Sequence, residues 1–147
     1  MDPYVQQLLD AVSRAVAPWL ERCVVETSRR LTGGCTDDLR TAAATMAAES
    51  APTVVEQLRE LFETDVEQQR TNPLSVLRAA VRHPTEVLAR ARIPPVRRDE
   101  FAERAFPVDV YALSPATWAD VDESLREPGL IWGAWKAKSV LDRRRSS

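Results

Sequence analysis

The chain has 147 residues, of which 44% are hydrophobic and 29% charged, a composition that favours one globular domain with its own core and excludes wholesale disorder. Its formal net charge of −2 supplies no overall field that would attract nucleic acid or an anionic membrane. Two cysteines and a single histidine are too few for a Cys/His zinc site. We therefore expect one soluble domain, residues 1–147, with no metal and no cofactor.

The sequence begins with the pattern of a long helix. Asp2 before Pro3 is typical of a helix start, and apolar residues then recur at helical spacing up to the Gly33–Gly34 pair. The apolar pattern keeps its phase through Pro18, so we expect a kink there rather than a helix end. The two glycines predict where the helix stops.

A second long helix is expected to start at Thr36 or Asp37 and to continue to about Gln69. Pro52 either kinks this helix or restarts it. The short connection makes the two helices antiparallel, so residues 1–70 are predicted to form a long helical hairpin. Its apolar faces are wider than two helices can bury against each other. The rest of the chain or a second copy must cover them, and dimerisation through the hairpin is therefore a hypothesis.

Residues 71–147 are predicted to form several short helices packed on that hairpin. Asn72–Pro73 opens one helix, His83–Pro84 interrupts it, and Pro94–Pro95 ends the helix that follows. Asp99 is expected to cap one or two further turns. The alternating segment VDVYAL has the pattern of a strand, but it lacks a second strand to pair with. The fold class predicted from the sequence is all-α.

Two further helices are predicted after this segment. Ser114 is expected to cap the first, with Pro115 at its first helical position and with Leu113 and Trp118 forming a hydrophobic staple. Pro128–Gly129 is expected to close that helix, and the last helix is expected to begin at Leu130. Basic residues then accumulate toward its C-terminus, where the helix dipole favours cations.

The stretches NPLSVLRAAVRHPTEVLARARIPPVRRDEFAERAFPVDVYALSPATW and PGLIWGAWKA resemble a family of small uncharacterised actinobacterial proteins. The resemblance covers residues 72–137 and does not extend to the hairpin. It implies no activity, no cofactor and no catalytic residue, and it adds only a bacterial source and a cytoplasmic setting.

Catalytic motifs are missing from the sequence. It contains no glycine-rich phosphate loop, no GxSxG and no GxGxxG pattern. The histidine, His83, precedes a proline and is more typical of a turn or a cap than of a catalytic base. Adjacent acids such as Asp37 and Asp38 complement the dipole at a helix start. These observations favour a non-catalytic protein.

Compartment is inferred from the cysteines and from hydropathy. Cys23 and Cys35 stand in no CxxC motif, so we expect free thiols in a reducing cytosol, with a disulfide between them as the alternative. The N-terminal segment carries an acid where a signal peptide needs base, and no apolar run approaches the length of a spanning helix. A cytoplasmic protein is expected.

Charge is distributed unevenly along the chain. Six acids and one base lie in residues 49–67, whereas eight arginines and four acids lie in residues 70–104. One interpretation is that both blocks form solvated helix faces that pair with each other. The other is a basic face for an acidic partner or a phosphate-bearing ligand.

Aromatic residues suggest a second candidate surface. Trp132 and Trp135 either complete the core over the hairpin or form an exposed edge of the kind found at interface hot spots. We therefore hypothesise a regulatory or interaction protein that binds another protein, or a second copy of itself, by a helical surface. Nucleic acid or a phosphorylated ligand bound through residues 70–104 is the alternative. The candidate partner-binding residues are Arg78, Arg82, Arg97, Arg98, Asp109, Tyr111, Trp132 and Trp135.

Overall fold

The computed structural model describes residues 2–63, 72–96 and 109–146. Within these ranges the protein is helical and contains no strand, so the all-α prediction is confirmed. The segment VDVYAL begins at Val108, outside the described residues, and residues 109–111 form a turn rather than a strand. The helix expected after Asp99 also lies outside the described ranges.

Helix α1 spans Pro3–Thr32 without interruption. The Asp2 carboxylate accepts a hydrogen bond from the N–H of Tyr4 at 2.9 Å, as a cap at this position should. The helix continues through Pro18, which confirms that this proline does not end it. Gly33 terminates it in the left-handed conformation, with φ of 87°.

Helix α2 spans Asp37–Glu63 and packs against α1. Thr36 caps it, because its hydroxyl accepts a hydrogen bond from the N–H of Leu39. Both possible starts predicted from the sequence are therefore consistent with this cap. Pro52 neither restarts nor ends the helix. The last part of the predicted helix, up to Gln69, lies beyond the described residues.

The connection between α1 and α2 is held by side chains of α1. Ser28 donates a hydrogen bond from its hydroxyl to the Gly34 carbonyl at 2.6 Å, and the Thr32 hydroxyl donates to the same oxygen. Ser28 is buried. These bonds supply donors to a carbonyl that has no partner within the helix. They stabilise the short connection of the antiparallel hairpin predicted from the sequence.

Helices α3 (Leu74–Ala80) and α4 (Arg82–Arg90) follow. Asn72 caps α3 by accepting from the N–H of Leu74, as predicted. The interruption expected at His83–Pro84 lies instead at Val81. Pro84 occupies the first turn of α4. N–H groups there have no partner within the helix, so a proline costs no hydrogen bond.

The helix cap predicted at Ser114 is wrong. Helix α5 spans Trp118–Val121, and its N-cap is Thr117. The Asp120 carboxylate accepts hydrogen bonds from the N–H groups of Ala116 and Thr117, each at 2.9 Å. The N–H donors of Thr117 and Ala116 lower the pKa of Asp120. Asp120, three residues after Thr117, therefore favours Thr117 over Ser114 as the N-cap. Leu113 and Trp118 no longer flank the cap in the positions of a hydrophobic staple, so that part of the prediction is wrong as well.

The helix end predicted at Pro128–Gly129 is also wrong. A 3₁₀ turn at Glu123–Leu125 leads into helix α6, which spans Arg126–Ser146 and therefore begins before Leu130. Pro128 again lies in a first helical turn, where its missing N–H is tolerated. Gly129 has a packing role, because a Cβ built on it would lie 2.4 Å from Cδ1 of Trp118.

Helix α1 is the centre of the assembly. It contacts α2, α4, α5, the 3₁₀ turn and α6, and its buried residues belong to the same apolar core as those of the other helices. Residues of the C-terminal part therefore cover the hairpin, as expected. Among the described helices, none combines the length and the hydropathy needed to cross a bilayer.

Replacement of Gly129 by alanine should destabilise the protein, because the added methyl would clash with Trp118. We expect a loss of about 1–3 kcal/mol in the free energy of unfolding, the usual cost of overpacking a core, measured by urea denaturation.

Gly133 is the matched control, since it lies in the same helix and a Cβ there would meet nothing within 4 Å. Gly133→Ala should stabilise the protein by roughly 0.5–1 kcal/mol through helix propensity. Equal effects of the two substitutions would contradict the close approach of Trp118 to Gly129.

Candidate functional site

Arg78, predicted to bind a partner, contacts the protein's own backbone. Its Nε donates a hydrogen bond to the Pro115 carbonyl at 2.9 Å, and its NH2 group donates to the Ala116 carbonyl at 3.4 Å. Pro115 and Ala116 precede α5, so their carbonyls have no helical N–H partners. The guanidinium of Arg78 donates to both of them. This arginine joins α3 to the segment that precedes α5.

Asp109 and Tyr111 are likewise used inside the fold. The Asp109 carboxylate accepts from the N–H groups of Leu113 and Ser114 and so closes a turn. Tyr111 is buried, and its hydroxyl donates to the Ile93 carbonyl at 2.7 Å. Burial raises the pKa of this phenol. A partner cannot reach the Tyr111 hydroxyl in this arrangement.

Two arginines of α1 that the sequence did not single out also hold this region. Arg22 donates to the Val121 carbonyl at 2.5 Å and lies 3.6 Å from the Asp122 carboxylate. The N–H of Ser124, and after it Arg22, lower the pKa of Asp122. Arg30 donates to the Tyr111 carbonyl at 3.3 Å. We call Arg22, Arg30 and Arg78 the arginine clamp.

Trp132 is a core residue at the centre of an aromatic cluster. Its ring makes edge contacts with Phe62 and Trp118, with centroids 5.9 Å and 6.3 Å apart. Lys136 lies over the same ring, 5.1 Å from its centroid, and burial lowers the pKa of this lysine. Trp135 is half-buried against the core. The two tryptophans therefore form no exposed pair.

A concave surface lies between α2 and α4. This α2–α4 groove has a volume of about 810 Å³, within the range of ligand sites. Leu39, Met46 and Val87 supply apolar surface to it. Its charged lining residues are Asp38, Glu49, Glu86 and Arg90. This groove was not predicted from the sequence, because the candidate residues were chosen for arginine and aromatic character, and the acids of the two helices gave no comparable signal.

His83 lines the same groove and is half-buried. Burial lowers the pKa of its imidazole, Arg82 lowers it further, and Glu86 opposes them. The ring is therefore neutral at pH 7 and offers one donor and one acceptor. It is the only histidine of the sequence, so no second imidazole can join it.

The α2–α4 groove combines apolar and acidic side chains. In the residues that the structure describes, no three His, Cys, Asp or Glu side chains are grouped so as to hold a metal ion. The carboxylates of Asp38, Glu49 and Glu86 are exposed. The groove offers apolar contact surface with an acidic border.

Three predicted site residues remain: Arg82, Arg97 and Arg98. Arg82 is exposed at the start of α4. Arg97 and Arg98 lie outside the described residues. The candidate residues named from the sequence are therefore not brought together into one surface by the described part of the chain.

No protein-family model, curated protein or solved structure matches this chain. The resemblance of residues 72–137 to actinobacterial proteins stays a prediction.

Both cysteines are free thiols. Cys23 is buried, and burial raises its pKa to about 12. Cys35 is half-buried beside the connection between α1 and α2. A thiol reacts as its thiolate, so Cys23 should react with thiol reagents much more slowly than Cys35.

Replacement of Arg78 by methionine should destabilise the fold, because two backbone carbonyls lose a charged donor. We expect a loss of about 1.5–3 kcal/mol in the free energy of unfolding, followed by circular dichroism in urea. Arg82→Met is the matched control on the neighbouring helix, and surface substitutions of this kind stay within about 0.5 kcal/mol. Equal stability of both variants would argue against the clamp.

Ellman's reagent at pH 8 should modify Cys35 in the folded protein and Cys23 only after denaturation, since the Cys23 thiol is buried and stays protonated. The time course is read from the absorbance of the released thiolate. In a Cys35→Ser variant, the reaction of the native protein should disappear. Rapid modification of that variant would show that Cys23 is accessible.

Proposed function

We propose that this protein is a non-catalytic interaction protein whose α2–α4 groove binds a basic amphipathic helix of a partner protein. The observation that supports this most is the combination of an apolar lining with three carboxylates and one guanidinium around it. A cytoplasmic setting, expected from the sequence, belongs to the same proposal.

The dimensions of the groove suit a helix of about three turns. Its lining residues on α2 extend from Asp38 to Ser50, which is about 18 Å of helix at 1.5 Å per residue. Apolar side chains of the occupant would contact Met46, whose flexible thioether adapts to different shapes. This is the mode in which an amphipathic helix docks into a hydrophobic groove.

The charged residues around the groove favour a positively charged occupant. Asp38, Glu49 and Glu86 border the groove against Arg90 alone, so lysines or arginines on the polar face of the bound helix are favoured and carboxylates are disfavoured. The four residues leave a formal excess of two negative charges. An acidic helix with the same apolar face should therefore bind more weakly.

The alternative, a nucleic acid or phosphorylated ligand bound through residues 70–104, has less support. Of the arginines named for it, Arg78 is engaged by backbone carbonyls and Arg82 is exposed. Arg90, a further member of this block, borders the acidic groove, where phosphate would meet carboxylates.

The test uses a fluorescein-labelled peptide of about 18 residues, long enough for five turns, with leucines on one helical face and lysines on the other. Fluorescence anisotropy should show binding of this peptide, and a peptide with glutamate in place of lysine should bind much more weakly. Glu49→Lys combined with Glu86→Lys should weaken binding by about tenfold, since each exposed charge pair contributes up to about 1 kcal/mol.

Glu63→Lys provides the control, because Glu63 is an exposed acid of the same helix outside the groove. It should leave the affinity nearly unchanged. Ala42→Trp places a large side chain in the groove from an exposed position and should abolish binding. If the peptide binds equally well to all variants, or the acidic peptide binds as tightly as the basic one, the proposal is wrong.

A further inference from the structure

Helix α4 runs antiparallel to α2 along the α2–α4 groove. The hydroxyl of Tyr111 donates a hydrogen bond to the Ile93 carbonyl, just after α4, and its carbonyl accepts one from Arg30, in the last turn of α1. The end of α4 therefore lies near the end of α1, where the short connection leads into α2. From there α4 extends back along α2, so its first turn lies toward the later part of the groove.

The acids of the groove are concentrated at one of its two ends. His83, Glu86 and Arg90 are spaced by three and four residues, so they share the face of α4 that lines the groove. Arg90, in the last turn of α4, lies at the same end as Asp38, where the two opposite charges offset each other. Glu49 lies about three helical turns further along α2, toward Glu86. His83 therefore lies at an end that carries two carboxylates and no arginine of the groove lining.

Charged groups reach His83 from α2 and from α4 itself. Arg82 directly precedes it and is exposed, and Glu86 lies one turn later. Helices α1 and α3 also pack against α4, but neither contributes a charged side chain to the described lining of the groove. Arg78, the charged residue of α3, donates to backbone carbonyls before α5 instead. The charged residues that surround His83 are Asp38, Glu49, Arg82, Glu86 and Arg90.

Protonation of His83 changes the charge at the acidic end of the groove. Burial lowers the pKa of the imidazole from its usual value of 6.5, Arg82 lowers it further, and Glu86 opposes both. At pH 7 the ring is neutral, so a bound cation is attracted by the carboxylates of Glu49 and Glu86. Once the imidazole is protonated, its positive charge cancels half of that negative charge and repels the same cation.

We propose that His83 makes the α2–α4 groove a pH-sensitive binding site, which binds a basic helix while the imidazole is neutral and binds it more weakly once the imidazole is protonated. This inference rests on the proposed function and adds a means of regulation to the same site. Linkage gives the sign, because a ligand that binds the neutral form better must lower the pKa of His83 on binding. Protonation of His83 should therefore weaken binding as the pH falls below the pKa of the free protein.

The test uses the peptide with leucines on one face and lysines on the other, titrated by isothermal calorimetry at about pH 7.5 and about pH 5.5. We expect the dissociation constant of the wild type to rise about two- to fivefold at the lower pH, the effect of one partly exposed charge. At about pH 6, binding should release a fraction of a proton. This release is measured by repeating the titration in buffers of different ionisation enthalpy.

His83→Gln is the matched control, because an amide keeps a donor and an acceptor but does not titrate. It should bind the peptide as the wild type does at about pH 7.5 and lose most of the weakening at about pH 5.5. Protonation elsewhere in the protein or in the peptide acts on both proteins, so the difference between them reports His83. His83→Lys, which is charged at both pH values, should bind weakly at both. Circular dichroism verifies that the variants are folded.

The titration of His83 can also be followed directly, since it is the only histidine of the chain and its ring signals are unambiguous in NMR spectra. The peptide should move this titration to lower pH. An unshifted titration, equal wild-type affinity at both pH values, or an undiminished pH effect in His83→Gln overturns this inference and leaves the proposed function standing. Absence of peptide binding at about pH 7.5 overturns the proposed function, and this inference with it.

Discussion

The C-terminal part of this protein depends on guanidinium groups that hydrogen-bond to backbone carbonyls. Residues 109–117 form no regular structure apart from a turn, so their carbonyls lack the partners that a helix would provide. Arg30 and Arg78 supply donors from two helices, and Arg22 does the same at the end of α5. Charged hydrogen bonds of this kind are stronger than neutral ones. These bonds connect the segment before Trp118 to α1 and α3, and the end of α5 to α1.

Several residues predicted to bind a partner also have contacts inside the fold. The excess of arginines over acids in residues 70–104 suggested a binding face, and Arg78 of this block donates hydrogen bonds to the Pro115 and Ala116 carbonyls. Tyr111 and Trp132 suggest a hot spot, yet one is hydrogen-bonded to Ile93 and the other is packed between Phe62 and Trp118.

Helices α1 and α2 could be predicted from the sequence because their signals are local. Asp2, the Gly33–Gly34 pair and the apolar period act within a few residues, and a proline that does not disturb the period does not end a helix. The error at Pro128 arose where a more distant group matters, since Trp118 packs against Gly129 and leaves no room for a side chain there. The error at Ser114 arose between two local signals, because Asp120 accepts from the N–H groups of Ala116 and Thr117 and moves the cap to Thr117. The α2–α4 groove depends on how two helices pack, which no local pattern contains.

The arginine clamp has a consequence for the order in which the chain folds. Its contacts join residues far apart in sequence, with separations of 99 residues from Arg22 to Val121 and 81 from Arg30 to Tyr111. Closing such long loops costs more chain entropy than closing the α1–α2 hairpin, and non-local contacts slow folding. The hairpin should therefore form early with one side of α1 still bare. Until the C-terminal helices arrive, that bare side is the surface most open to misassociation or to a chaperone.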